Sequence, residues 1–89
     1  MIKTELTIIN KLGLHARAAA KLASTANRFS CQCQLAVRER SVDCKSVMAL
    51  MLLAAAKGTD VEVHCDGDDE VAANEAITTL INNRFDEDE

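Results

Sequence analysis

Eighty-nine residues, a formal charge of -4 and 48% hydrophobic side chains describe one acidic domain, 1–89, with room for a modest core. Without Trp or Tyr and with only two Phe, that core is aliphatic, and the stacking aromatics and basic excess that hold nucleic acid are missing. Lys3 and Glu5 interrupt any leader-like start, and the longest apolar run, "VMALMLLAAA", is too short to span a bilayer; no membrane insertion and a cytoplasmic location are expected.

Residues 2–9, "IKTELTII", alternate, with Ile2, Thr4, Leu6 and Ile8 opposite Lys3, Glu5 and Thr7, which is strand periodicity. The period then changes. Ala16, Ala19, Leu22, Ala23, Ala26 and Phe29 recur at helical spacing over residues 16–29. "CQCQLAV" returns to period two, and a reversal near Glu39 leads into a short strand, "SVDC", although "RERS" lacks the Gly or Asn a hairpin prefers. Ser46 suits the N-cap of a helix running to Lys57 and stopped by Gly58. Residues 60–66 alternate once more. The acidic "DGDDE" then opens a last helix, its carboxylates at the positive dipole end, with Val71, Ala72, Ala76, Ile77, Leu80 and Ile81 inward and its end near Phe85. One-sided strands need a cover, so the order β-α-β-β-α-β-α implies an α+β open-faced two-layer sandwich. Its four-stranded antiparallel sheet is covered by three helices.

Cys31, Cys33, Cys44 and Cys65 all fall on the apolar phase of their strands, where a reduced thiol serves as a small hydrophobe. Cys-x-Cys also lacks zinc-knuckle spacing, so no metal and no cofactor are expected. His64 alternates outward, onto the wet sheet face.

The stretch "KLGLHARAAAKL" is different. It starts a helix without a capping hydroxyl or carboxylate, leaving the first amides of the helix available beside Arg17. Amides, dipole and guanidinium together attract an anion, phosphate in particular. His15 stands at the edge of that site, and a neutral imidazole there is a nucleophile. Gly13 allows the sharp turn that brings it to the surface. The bland alternative is an incidental surface histidine ahead of a helix.

Residues 46–57 pose a second question, because Val47 to Leu53 leave no polar face. If Leu50 and Leu53 point inward, Val47, Met48 and Met51 face outward as an apolar docking patch. A fully buried central helix is the competing reading.

Both motifs resemble one family. "NKLGLHARAAAKL" is similar to the active-centre segment of HPr, the histidine-containing phosphocarrier of the bacterial phosphoenolpyruvate-dependent phosphotransferase system, and "KSVMALMLLAAAKG" resembles its regulatory-serine helix. The resemblance spans essentially the whole chain. It implies that His15 Nδ1 accepts a phosphoryl group from enzyme I and passes it to an enzyme IIA domain. Arg17 and the backbone of Ala16, Arg17 and Ala18 would hold the phosphate, and the chain would be a stoichiometric carrier rather than a turnover enzyme. It further implies that Ser46 matches the serine phosphorylated by a dedicated HPr kinase/phosphorylase in some bacteria, that partners meet Val47, Met48 and Met51, and that the chain is a monomer. A regulatory relative acting through Ser46 and protein docking is the alternative, and sugar uptake and a nitrogen-related branch both remain open. Ala18 departs from the family's usual proline, a change worth a few tenths to about 1 kcal/mol of preorganisation.

Overall fold

The period-two segments pair into one sheet in the computed structural model, which describes residues 1–89. Strands β1 (Ile2–Thr7), β2 (Gln32–Val37), β3 (Arg40–Asp43) and β4 (Asp60–Asp66) lie in the order β1-β4-β2-β3, every neighbour antiparallel. The register sets Cys33 beside Cys65 and Leu35 beside Val63 on the covered face, and puts Lys3 and Gln34 beside His64 on the open face. Helices α1 (Ala16–Ala26), α2 (Val47–Leu53) and α3 (Glu70–Asn82) cover the first face and enclose an aliphatic core that includes Ile8, Leu22, Leu35, Leu50, Val63 and Ile77. The expected fold class and element order are those observed. No helix is long and apolar enough to cross a membrane.

Several boundaries differ, for local reasons. α2 stops at Leu53, not Lys57: Ala54 turns left-handed at φ +53 and sends Ala55 back into the core. Gly58 lies in the next turn, its N–H donating to the Ile8 carbonyl at 2.7 Å. α1 ends at Ala26: the Asn27 side-chain amide donates to the Ala23 and Lys45 carbonyls, and the next amides, of Arg28 and Phe29, turn back only three residues, to the Thr25 and Ala26 carbonyls. The buried stripe of α1 contains Ala18 and excludes Ala16, which is exposed. In α3 it runs through Ala73, Ile77, Leu80 and Ile81, so Val71 and Ala72 face solvent.

The hairpin closes on Arg38 and Glu39, between the paired Val37 and Arg40. Arg38 takes the left-handed φ of +58 that a glycine would take freely, at a cost of roughly 1–2 kcal/mol. Of the acids expected at the start of α3, Glu70 lies in the first turn, where it accepts from Gly67 N–H, and no side chain caps the helix. Asp69 instead accepts from the Ser30 and Cys31 amides at 2.8 and 2.9 Å, tying the start of α3 to the start of β2.

After α3, Arg84, Phe85 and Asp86 form a left-handed turn. Phe85 is fully buried in it, and the chain doubles back so that Glu87–Glu89 lie against the loop before α1.

Candidate functional site

The loop from Asn10 to His15 is built around buried polar contacts. Asn10 is completely enclosed, and its Nδ2 donates to the Gly13 carbonyl at 2.8 Å and to Glu87 Oε1 at 3.0 Å. Gly13 sits at φ +66, and a Cβ there would come within 2.6 Å of the Ala55 carbonyl oxygen. Glycine is therefore required twice over, by conformation and by space. Leu14 N–H donates to that same Ala55 carbonyl at 2.8 Å.

His15 is itself the N-cap of α1. At φ -83 and ψ -178 its backbone is extended, and its Nδ1 accepts a hydrogen bond from Arg17 N–H at 3.3 Å. The helix expected to start uncapped is capped by the imidazole, whose ring lone pair stands in for a serine oxygen. The first-turn amides of Ala16 and Ala18 find no acceptor within the protein, whereas Ala19 N–H donates to the His15 carbonyl at 2.8 Å. Arg17 is exposed beside them.

The other ring nitrogen faces a carboxylate: His15 Nε2 contacts Glu87 Oε2. The His15 side chain keeps 27% of its surface and Glu87 only 12%. Burial pushes the Glu87 carboxyl up, yet the Asn10 amide, the His15 ring and the Arg17 charge outweigh it and hold the group below its ordinary value. The returning tail is fastened on both sides of Glu87. Lys21 Nζ donates to the Phe85 carbonyl at 3.0 Å, and Lys11 meets Glu89 through its backbone N–H and, at 3.3 Å, its ammonium.

Asn10 and Glu87 were invisible as site residues in the sequence. Glu87 lies 72 positions from His15 and reads as one of four acids in a tail. Nothing in the sequence marks Asn10, three residues ahead of Gly13, as buried. One concavity of the surface lies on the open sheet face around Glu5, Arg38 and Asp60, away from His15. The His15 side chain is partly exposed and reaches the surface.

Ser46 caps α2 as expected, its Oγ accepting from Ala49 N–H at 3.2 Å. Leu50 and Leu53 are buried, and Val47, Met48 and Met51 are exposed, Met48 at 76%. The exposed apolar surface also includes Leu52 on α2 and Leu12 ahead of His15, neither of which periodicity singled out.

The four cysteines are buried free thiols. Cys31 and Cys33 approach to 3.7 Å between sulfurs. Burial pushes all four thiols up, Cys31 to about 12. His64 lies on the open face as expected but is largely covered, with Nε2 2.5 Å from Glu62 Oε1.

Comparison with known proteins places this geometry in context. Residues 2–83 match the family described as PTS HPr component phosphorylation site. The chain is 56% identical over 86 residues to the phosphocarrier protein HPr of Pseudomonas aeruginosa, covering 96% of each. The crystal structure of HPr-C-His from Thermoanaerobacter tengcongensis superposes with a TM-score of 0.96 at 38% identity, over 100% of both chains. An HPr dimer from the same organism superposes at 0.78 with 39% identity, over 98% of this chain and 100% of that one.

Proposed function

The chain belongs to the HPr family of phosphocarrier proteins of the phosphotransferase system, and from that premise we propose that it carries a phosphoryl group on Nδ1 of His15. The observation that carries this reading is the position of that nitrogen. It holds a lone pair at the tip of α1, directed at the Arg17 N–H and beside two amides without acceptors.

The chemistry follows from that arrangement. A phosphohistidine of enzyme I presents its phosphorus in line with His15 Nδ1. The Nδ1–P bond forms as the donor's P–N bond breaks, and the electron pair returns to the donor nitrogen. Nδ1 gives up the Arg17 amide as it bonds to phosphorus, and the phosphoryl oxygens take over that amide and those of Ala16 and Ala18. Arg17 supplies a full positive charge to the same oxygens. Such preorganised donors stabilise the charge spread over the phosphoryl oxygens during transfer. The same steps in reverse deliver the group to a histidine of an enzyme IIA domain, so the protein is a stoichiometric carrier.

Serving two partners in turn requires an exposed nucleophile and a surface for docking. Val47, Met48 and Met51 provide the surface, and their flexible side chains suit contact with several proteins. Ser46 is the regulatory position: a phosphate there brings about two negative charges to the edge of the patch. One chain holds every residue of the site, and the carrier acts as a monomer in the cytoplasm.

Incubation with enzyme I and labelled phosphoenolpyruvate tests the reading. An acid-labile, base-stable label, slowed by Arg17→Ala, is the expected result. A label stable to acid, or none, contradicts it.

A further inference from the structure

The His15 ring is held from both sides, and the second side has no part in the transfer just described. Nδ1 accepts a backbone N–H, so it carries no proton in this arrangement. Nε2 faces a carboxylate, and an ionised carboxylate can only accept. The ring proton therefore sits on Nε2, a tautomer that leaves the Nδ1 lone pair at the helix tip. We propose that Glu87 is a positioning residue for phosphoryl transfer, holding the Nε2 proton of His15 and facing the positive charge the ring gains as Nδ1 bonds to phosphorus.

This deepens the carrier reading and rests on it. When neutral Nδ1 attacks, the imidazole becomes a cation with the phosphoryl on Nδ1 and the proton still on Nε2. No proton needs to leave, and the Glu87 carboxylate lies against the atom that keeps it. A charge-assisted hydrogen bond to that proton strengthens as the ring becomes cationic, which favours the transition state over the resting ring.

The rest of the tail is arranged to hold Glu87 in place. Phe85 is buried behind it, Lys21 grips the Phe85 carbonyl, and Glu89 is bound by Lys11 ahead of it. Its second oxygen is taken by the buried Asn10 amide, which leaves Oε2 for the ring. Asn10 also anchors Gly13, so one side chain couples the loop that presents His15 to the carboxylate that orients it.

Two variants separate charge from shape. Glu87→Gln keeps the size and an acceptor oxygen; Glu87→Ala removes both charge and acceptor. In nitrogen-15 NMR of the unphosphorylated protein, the His15 Nε2–H should be protected from water exchange, less so in Glu87→Gln and not at all in Glu87→Ala. Phosphoryl uptake from enzyme I should fall about tenfold in Glu87→Gln, the difference between a charged and a neutral acceptor; its Tm should also fall, because one amide oxygen cannot serve both the Asn10 amide and the ring. An Nε2 proton equally protected in wild type and Glu87→Ala, or equal uptake rates in wild type and Glu87→Gln, overturns the role of Glu87 while leaving the carrier reading intact. Failure of the wild type itself to take label on His15 overturns the carrier reading, and the role of Glu87 in transfer with it.

Discussion

Leu14 and Ala55 share a backbone hydrogen bond of 2.8 Å that fastens the loop presenting His15 to the exit of the helix opened by Ser46. His15 and the exposed apolar patch are thereby joined through the backbone. The contact also explains why the chain leaves α2 early. Ala54 turns left-handed, Ala55 goes inward, and its carbonyl is brought to the loop.

Gly13→Ala tests that arrangement. The added methyl meets the Ala55 oxygen at 2.6 Å and Ala56 Cα at 2.9 Å, both backbone, and φ +66 disfavours any side chain. The conformational part alone costs about 1–2 kcal/mol, and the collision adds to it. Thermal denaturation should show a clearly lower Tm, and amide shifts of Leu14 and Ala55 should move together. A Tm equal to wild type would mean that the loop yields without loss.

Ser46 has a structural duty that must be separated from regulation. Ser46→Ala removes the acceptor for Ala49 N–H and should cost about 0.5–2 kcal/mol of stability with little effect on phosphoryl uptake. Ser46→Asp keeps a capping oxygen but adds charge beside Val47. It should stay stable and accept phosphoryl groups from enzyme I more slowly. Unchanged kinetics in the Asp variant would remove Ser46 from regulation.

The four thiols predict an alkaline limit to stability. Their folded values lie above the ordinary 9.0, so their contribution is complete below about pH 9, where the unfolded chain still keeps its protons. It declines as the pH rises further and unfolding releases protons. Denaturant midpoints should fall above pH 9, and a thiol reagent at neutral pH should modify the cysteines only after unfolding. Rapid labelling of the folded protein would contradict the burial.

Carboxylates act in the opposite direction. Asp69, held by the Ser30 and Cys31 amides, Glu70, held by Gly67 N–H, and Glu87 all sit below their ordinary values. The stability they contribute is present above the ordinary carboxylate range and is lost as pH falls through their lowered values. Tm should therefore drop on acidification below about pH 4.5, with a smaller drop in Asp69→Asn, whose starting Tm is lower. An acid-insensitive Tm would show that these contacts contribute nothing.

The strands were legible because alternation is unambiguous over six or seven residues; β1 and β4 follow it closely. Helix limits and phases were less so. Nothing in "LLAAAK" marks Ala54 as a left-handed stop, and alanines on several sides of α1 and α3 carry too little hydrophobic contrast to fix the buried stripe. His15 and Arg17 could be picked out because a helix start without an ordinary cap is conspicuous. That the imidazole itself does the capping required its ring orientation, which no pattern encodes. Glu87 was out of reach for another reason: only the left-handed turn around Phe85 brings the tail to the histidine.

The most direct test is the intact mass of the chain after incubation with enzyme I and phosphoenolpyruvate, compared between wild type and His15→Ala. Wild type should gain one phosphoryl group, and His15→Ala, still folded, should gain none. A phosphoryl group taken up by His15→Ala at the wild-type rate would contradict the account.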